Sequence, residues 1–317
     1  MSKKILPIKL TPGDTIGLIA PSGVIKDIPA LERAVKNIES RGYKVKLSDN
    51  ITDKKWYFAG DDQTRLKDLM TFFKDPEINA IFCARGGYGC TRLLDKLDFE
   101  IINLNPKILL GYSDITAFHF AINKYSNLIT FHGPLSVGDF GKKDLLDFTW
   151  NNAWMILENN ISFPHEINNY LKPISINSGK VYGQIVGGNL AVICSIMGSK
   201  YFSDFDNKIL FIEDVSENLY RIDRYLIQLK LAGVFNKVKG IIFGEFTDLI
   251  KSDDPEVNNL LILDIIKDIM QDIKTPAIYG FSCGHAPNKS TIPFGAECHL
   301  DASEGILTIV EPFLKST

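Results

Sequence analysis

The sequence predicts an α/β protein of two domains, in which buried parallel strands alternate with helices. Its 317 residues exceed the usual size of one domain, so two domains that share a cleft are expected. Of these residues, 45% are hydrophobic and 23% are charged, as in a soluble globular protein. Apolar runs of strand length alternate with helical spacings along the first half, an order that covers a parallel sheet with helices on both faces.

In the first half, five apolar runs are predicted to be strands. They are "TIGLIAPSG", "YKVKL", "INAIFCA", "KILLG" and "LITFHGP". Between them, apolar residues at helical spacing predict helices over 29–41, 64–73, 91–97 and 115–124.

A domain boundary is predicted where this alternation stops. From 151 to 178 the periodicity weakens and Pro164 and Pro173 intervene, which is typical of a crossover. We therefore expect an N-terminal domain over 1–150, a linker over 151–178 and a C-terminal domain over 179–317. The C-terminal domain is predicted to contain the strands "KVYGQIVG", "KILFIED", "VKGIIFGEF" and "AIYGFSC", helices over 190–197, 219–231 and 260–273, and a terminal hairpin in "ECHLDASEGILTIV".

Composition excludes several classes of partner. The formal net charge of −3, with both signs well mixed, offers no basic stripe for a phosphate backbone, so nucleic acid is not expected. No apolar run approaches the roughly 18 residues that span a bilayer, and the first residues lack a signal-peptide core. The five cysteines have no CxxC spacing, so neither a disulfide framework nor a zinc ribbon is indicated. We expect a cytoplasmic protein.

The stretch "LLGYSDITAFH", residues 109–119, begins as a buried strand and resumes as a helix, with Ser113 at the break. In an open parallel sheet, ligands bind beyond the carboxyl ends of the strands, where this serine lies. Serine is also a favoured helix N-cap, and "GYSDI" departs from the usual GxSxG elbow. From these residues alone, cap and nucleophile remain open alternatives.

A serine nucleophile needs donors for the oxyanion that forms when it attacks a carbonyl. The glycine-rich turn in "CARGGYG" ends the preceding strand, so it is expected at the same edge of the sheet. Backbone amides at Gly86 and Gly87, and that of Asp114 at the start of the next helix, are the candidates. An ordinary strand-to-helix turn is the alternative reading of the glycines.

The base should be one of the five histidines. His119 lies six residues beyond Ser113 on one helix, about 9 Å along and about 240° around, so it faces elsewhere and is expected to pack. His165 and His299 are poorly placed. His132, at the end of the fifth strand, can reach the cleft as a base or as a wall that contacts substrate, and His285, in "GFSCGHAPN", lies in a loop flanked by Gly284 and Pro287.

A carboxylate should orient the base. Glu213 ends a buried strand in "ILFIEDVSENLYRIDRYL", with Asp214 beside it and Glu217 in the next helix. Glu217 is explained by the helix dipole, whereas Glu213 needs a buried partner. Cys283 with His285, and Cys298 with His299, are weaker alternatives as a metal site, and Cys283 is a weaker alternative nucleophile.

Together these motifs resemble the LD-carboxypeptidase family of serine peptidases, which also contains the microcin C immunity proteins. The similarity runs from Thr11 to Phe294 and rests on "GDTIGLIAPSG", "ARGGYG", "GYSDIT", "FHGP", "GGNL", "LFIEDVSENLYRIDRYLIQL" and "GFSCGHAPN". The resemblance implies a glutamine-amidotransferase-like N-terminal domain, a swivelling β/β/α-type C-terminal domain and a Ser113, Glu213, His285 triad. It also implies a homodimer without metal or cofactor that releases D-alanine from the murein tetrapeptide in the cytoplasm.

Two other functions fit the same resemblance. An amidase of the immunity branch would hydrolyse a peptidyl nucleotide, and a non-catalytic protein would only bind murein peptides. A carboxypeptidase must recognise a free carboxylate, for which Arg85 and the amides of "VGGN", at Gly188 and Asn189, are candidates with His132 as a substrate-contacting wall. The specificity loop is expected within 139–178.

Overall fold

The computed structural model describes residues 4–251, 254 and 261–316, and it places them in two sheets flanked by helices. The predicted α/β class is confirmed. The strands are β1 Thr15–Ile19, β2 Lys44–Leu47, β3 Ala80–Cys83, β4 Ile108–Gly111, β5 Thr130–His132, β6 His165–Glu166, β7 Ile174–Asn177, β8 Lys180–Asn189, β9 Lys208–Val215, β10 Gly240–Thr247, β11 Ala277–Phe281, β12 Ile292–Phe294, β13 Glu297–Asp301 and β14 Ile306–Ile309.

The described helices cover both sheets. They are α1 Ile28–Ser40, α2 Asp62–Lys74, α3 Phe99–Leu104, α4 Thr116–Tyr125, α5 Asp147–Leu157, α6 Leu190–Ile196, α7 Leu219–Leu231, α8 Val234–Lys237 and α9 Ile262–Met270. The predicted helix over 91–97 is a 3₁₀ helix, Cys90–Lys96. Of the helices described, none combines the length and the apolar character that crossing a bilayer requires.

The first sheet has the order β12-β5-β4-β3-β1-β2. Strands β1 to β5 are parallel, as the alternation predicts. All residues of β3 and β4 are buried, because helices cover both faces. The sixth strand, β12, comes from the second half of the chain and pairs antiparallel with β5, which the sequence analysis did not predict.

The second sheet has the order β6-β14-β13-β8-β9-β10-β11-β7. Strands β8 to β11 form its parallel centre. The predicted terminal hairpin is confirmed as β13 and β14, which pair antiparallel at one side of that centre.

The segment expected to be a linker, 151–178, contains ordered structure. Helix α5 runs across position 150, and its Trp154 is fully buried and stacks on Tyr43 at 4.8 Å between ring centres. Strands β6 and β7 pair at the two edges of the second sheet. Both strands are short and lie at edges, so neither carries the alternation that identifies a strand in sequence. The domain limits themselves remain a prediction.

The connection between β11 and β12 joins the two sheets. Strand β11 belongs to the second sheet and β12 to the first, so residues 282–291 pass from one sheet to the other. His285 lies in this connection, and Ser113 lies two residues after the end of β4, at the carboxyl edge of the first sheet. The fold therefore brings a loop tied to both sheets toward the predicted nucleophile.

Candidate active site

Ser113 occupies a strained bend between strand and helix. Its φ is 65°, a left-handed value that is uncommon for a residue other than glycine. It begins a short 3₁₀ turn that leads into α4, and neither the turn nor α4 has a side-chain capping hydrogen bond. Such strain is typical of a nucleophile elbow, so the geometry favours the nucleophile over the cap.

Gly86 lies directly against the hydroxyl of Ser113. A Cβ atom built on Gly86 would be 2.6 Å from Oγ of Ser113 and 3.6 Å from the backbone nitrogen of Asp114. Only glycine fits at this position. Gly87 has a φ of +118°, which also favours glycine. The structure therefore places Gly86 against Ser113 and close to the Asp114 amide, with Gly87 as the next residue in the chain.

The side chain of Asp114 forms hydrogen bonds that hold two neighbouring loops against the elbow, the bend at residues 112–114. Its Oδ2 accepts hydrogen bonds from Oγ of Ser22 at 2.6 Å and from the amide of Cys90 at 2.8 Å. Burial raises the pKa of Asp114, although these hydrogen bonds act in the opposite direction. Sequence reasoning considered only the amide of Asp114 and missed Ser22, whose signal was a Pro-Ser-Gly turn directly after the buried strand β1.

Glu213 and His285 form the predicted acid and base pair. Nδ1 of His285 lies 2.6 Å from Oε2 of Glu213, and the amide of His285 donates to the same oxygen at 3.1 Å. Burial lowers the pKa of His285, but the charge and hydrogen bond of Glu213 outweigh it, so the pKa is raised above its usual value. This arrangement leaves Nε2 of His285 free to accept a proton from a nucleophile.

Gly284 makes room for the buried carboxylate. Glu213 is fully buried, and a Cβ atom on Gly284 would lie 2.4 Å from its carboxyl carbon. Gly284 also has a φ of +76°. The glycine that flanks His285 is therefore required by contact and by backbone conformation.

The His285 loop is held against the elbow by residues that sequence reasoning missed. The ring of Tyr112, the residue before Ser113, lies edge-on to the imidazole of His285 with 4.8 Å between ring centres. Nζ of Lys289 lies 5.1 Å from the Tyr112 ring centre and pairs with the buried carboxylate of Asp139 at 2.6 Å. Neither Lys289 nor Asp139 belongs to a run of apolar residues at regular spacing, so no local pattern in the sequence marks this pair.

The structure buries His132, which corrects its prediction as a substrate-contacting wall. It is fully buried, and its ring packs on Phe294 and Phe211 with ring centres 5.0 and 5.3 Å away. Burial lowers the pKa of His132 well below its usual value. The physical reason is β12, whose Ile292 pairs with His132 and covers the end of β5. His119 packs in the core as expected, with its two nitrogens 2.9 Å from Oγ1 of Thr130 and 2.8 Å from the carbonyl oxygen of Gly111.

Gly188 and Asn189 join the two halves of the chain, which corrects their prediction as substrate-binding residues. The amide of Asn189 donates to Oγ1 of Thr116 at 3.0 Å, and a Cβ atom on Gly188 would lie 2.2 Å from the same oxygen. Nδ2 of Asn189 donates to Asp214 at 2.8 Å, and its Oδ1 caps α6 through the amide of Val192. The amide and both side-chain polar atoms of Asn189 therefore form hydrogen bonds within the protein, because the two halves of the chain pack closely at this junction.

The other candidate acids and the thiol have structural partners. Burial, with the charge of Glu213, raises the pKa of Asp214 to about 7, and its oxygens accept hydrogen bonds around the start of α6. Glu217 pairs with Arg221 at 3.7 Å. Cys283 is fully buried, which raises the pKa of its thiol, so an active thiolate is disfavoured there. Among the residues described, no three His, Cys, Asp or Glu side chains form a group that could hold a metal ion.

Arg85 remains a candidate for substrate binding. It is half-buried, and its Nη1 donates to the carbonyl oxygen of Val24 at 2.6 Å. Its side chain lines an open cavity of about 480 Å³ beside the elbow. The guanidinium retains donors that a ligand in this cavity can use.

Two family models match the chain, the LD-carboxypeptidase N-terminal domain over residues 16–133 and the LD-carboxypeptidase C-terminal domain over residues 182–300. The chain belongs to the LD-carboxypeptidase family. The family resemblance and the enzyme class, a serine carboxypeptidase, are thereby confirmed.

Relatives of this LD-carboxypeptidase family member come from both branches named above. The chain is 35% identical over 300 residues to a probable murein peptide carboxypeptidase of Bacillus subtilis, covering 94% of this chain and 92% of that protein. It is 29% identical to the microcin C7 self-immunity protein MccF of Escherichia coli, covering 99% and 98%. The solved muramoyltetrapeptide carboxypeptidase of Oxalobacter formigenes matches with a TM-score of 0.82 and 30% identity, covering 94% of this chain and 99% of that chain.

Proposed function

We propose that this chain is a metal-independent LD-carboxypeptidase that releases D-alanine from the murein tetrapeptide during peptidoglycan recycling in the cytoplasm. Ser113 is the nucleophile, His285 the base and Glu213 the residue that orients it. The observation that carries the proposal is the strained φ of 65° at Ser113, next to Tyr112, whose ring contacts the imidazole of the Glu213–His285 pair. Murein peptide is also what the name of the Bacillus subtilis relative specifies.

Acylation begins with proton transfer. Nε2 of His285 takes the hydroxyl proton of Ser113 while Oγ forms a bond to the carbonyl carbon of the L-centre. The negative charge that develops on the carbonyl oxygen is stabilised by amides at Gly86, Gly87 and Asp114. The C–N bond then breaks, and the imidazolium gives its proton to the departing amine of D-alanine.

Deacylation repeats these steps with water. His285 accepts a proton from the water as its oxygen attacks the ester carbonyl, and the imidazolium returns a proton to Oγ of Ser113 as the tripeptide acid leaves. Glu213 accepts a hydrogen bond from the Nδ1–H of His285 throughout and stabilises the charged imidazolium. Its complete burial strengthens this interaction, because a low local dielectric weakens screening.

A second candidate function is an amidase that acts on a peptidyl nucleotide. The similarity to MccF over nearly the whole of both chains favours it. The same three residues serve either reaction, since both cleave an amide bond. The acyl group and the leaving group distinguish the two functions, so a direct comparison of substrates decides between them.

The test is mass spectrometry of murein tetrapeptide incubated with purified protein and a chelator. We expect tripeptide and free D-alanine, and we expect Ser113→Ala to lower turnover by at least about 10³-fold. Turnover of a peptidyl nucleotide in place of the tetrapeptide would support the amidase. Retained activity in Ser113→Ala, or tight binding of the tetrapeptide without any cleavage, would overturn the proposal.

We include the predicted homodimer in this proposal. Light scattering on the purified chain is expected to report twice the monomer mass of 35.5 kDa. A single monomeric species across the concentrations used for the activity test would refute the dimer and leave the proposed chemistry unchanged.

A further inference from the structure

The open cavity beside the elbow is strongly basic. Its volume is about 480 Å³, and its wall contains five cationic side chains and one carboxylate. The cations are Lys26, Arg33, Arg85, Lys142 and Lys143, and the carboxylate is Asp27. This excess of positive charge contrasts with the net charge of −3 of the whole chain.

The cavity lies at the same edge of the first sheet as Ser113. Its walls follow β1, β3 and β5, and the amides of Val137 and Gly138 donate to the carbonyl oxygen of Ala84 at 2.9 and 3.3 Å. Arg85 is followed by Gly86, the residue that contacts Ser113. A ligand that extends from the nucleophile along this edge therefore meets the basic wall.

Most of this positive charge is not compensated within the protein. Arg33 pairs with Asp27 at 3.5 Å, and Lys142 pairs with Asp139 at 3.5 Å. Lys26, Arg85 and Lys143 have no carboxylate partner in the part of the chain that the structure describes. An anion in the cavity would gain attraction from these three groups without displacing an internal ion pair.

The arginines of the cavity are held in place by backbone carbonyls. Nη1 of Arg85 donates to Val24 at 2.6 Å, and Nε of Arg33 donates to Gly141 at 2.8 Å. Each bond fixes the guanidinium and leaves other N–H groups available. A fixed guanidinium is well suited to carboxylate recognition, since little side-chain entropy is lost on binding.

We propose that this basic cavity, through Arg85, Lys26 and Lys143, binds a carboxylate of the substrate. The inference rests on the proposed function and names a specificity site for it. Two carboxylates of the tetrapeptide are compared in the test: the terminal carboxylate of D-alanine, and the carboxylate left free where D-glutamate is linked through its side chain. Both share one chemistry, and amidation removes either one separately.

The test measures binding without turnover. Calorimetry in the Ser113→Ala background compares tetrapeptide with two analogues, one amidated at its C-terminus and one amidated at D-glutamate. We expect one analogue to bind about tenfold more weakly, because a hydrogen-bonded charge pair is lost. The analogue that weakens identifies the carboxylate that the cavity recognises.

Variants then connect this loss to the cavity. Lys26→Gln with Lys143→Gln, and separately Arg85→Gln, are expected to weaken binding of tetrapeptide about tenfold and to leave binding of the weakened analogue unchanged. Lys237→Gln, at the end of α8 on the second domain, is the matched control and is expected to leave all affinities unchanged. In the Ser113 enzyme, the same cavity variants are expected to raise KM more than they lower kcat.

The outcomes separate this inference from the proposed function. Equal affinity for all three peptides, or equal losses for all three in the cavity variants, would overturn the basic cavity as a carboxylate site. Charge-dependent binding in Ser113→Ala together with no tetrapeptide cleavage by the Ser113 enzyme would support the cavity and refute the carboxypeptidase.

Discussion

Nδ1 of His285 lies 2.6 Å from Oε2 of Glu213, a contact that ties the loop after β11 to the buried end of β9. The carboxylate is fully buried, while the imidazole is partly exposed, at 16% of its side-chain surface. The proposed acid is thus shielded from water, and the proposed base is exposed enough to reach a substrate.

Glu213→Gln should reduce turnover while the protein remains folded. The amide of glutamine has nearly the shape of the carboxylate but can present an N–H to Nδ1, which favours the wrong imidazole tautomer. We expect kcat to fall by about 10⁴-fold, the scale reported for an equivalent change in a serine protease triad. Glu213→Asp keeps the charge and should recover part of the rate. A glutamine variant with unchanged kcat would exclude Glu213 as the orienting acid.

The activity of the enzyme should fall on the acid side through the pKa of His285. That pKa is raised by Glu213 against the effect of burial, and only the neutral imidazole accepts a proton from Ser113. The profile of kcat/KM against pH should therefore show a limb above the ordinary histidine pKa of about 6.5. In Glu213→Gln the limb should move to lower pH, and a limb that stays in place would contradict the assignment.

The stability of the fold should also depend on the protonation of His285, but it should fall as pH rises, whereas activity should rise. A raised folded pKa means that protonated His285 stabilises the fold below its unfolded pKa, and that this contribution is lost as pH rises through the folded pKa. Urea unfolding in the Ser113→Ala background at several pH values, with and without His285→Gln, would measure this contribution. Equal pH dependence in the two proteins would refute it.

Gly284→Ala and Gly198→Ala form a matched pair. Both glycines have positive φ, +76° and +84°, but only Gly284 faces the carboxylate of Glu213, whereas a Cβ atom on Gly198 meets nothing within 4 Å. Backbone strain should cost each variant about 1–2 kcal/mol of stability, and the clash with buried Glu213 should add to this loss in Gly284→Ala alone. Only Gly284→Ala should also lose about 10²-fold in kcat, because Glu213 and His285 are displaced. Equal kcat values in the two variants would disprove this role of Gly284.

Asp114→Asn and Asp114→Ala separate hydrogen bonding from charge at the elbow. Ser22 and Cys90 both donate to Oδ2, so the oxygen of asparagine can accept both bonds. Asp114→Ala leaves both donors buried without a partner and should cost about 2–4 kcal/mol in the free energy of unfolding. Chemical denaturation at neutral pH measures the difference, and equal stability of the two variants would show that these bonds contribute nothing.

The pH dependence of the Asp114 variants gives a further check. Burial raises the pKa of Asp114, so its stabilising contribution is complete below the unfolded pKa and declines as pH rises through the folded pKa. Asp114→Asn removes this decline. Parallel stability curves for the asparagine variant and the parent protein would contradict the raised pKa.

Local patterns in the sequence were sufficient to predict most of the strands and helices and to single out candidate residues for the site. Apolar runs that alternate with helical spacings predicted the parallel strands of the first sheet and the positions of the central strands of the second, because burial on both faces leaves a continuous apolar signature. Ser113 at a bend, the glycines of "CARGGYG" and a glutamate that ends a buried strand were visible for the same reason: each departs from what its own element requires. The family resemblance then connected these positions with His285.

Contacts between distant segments decided the rest. The three residues of β12 contain Pro293 and show no alternation, yet their pairing with β5 buries His132 and removes it from the cleft. The amide of Asn189 donates a hydrogen bond to Thr116, which lies 73 residues earlier in the chain. The sequence by itself determined which residues are candidates for catalysis, because residue type and local period can be read from it. Only the tertiary structure decided which of them remain free for a substrate, since that depends on partners that no local pattern specifies.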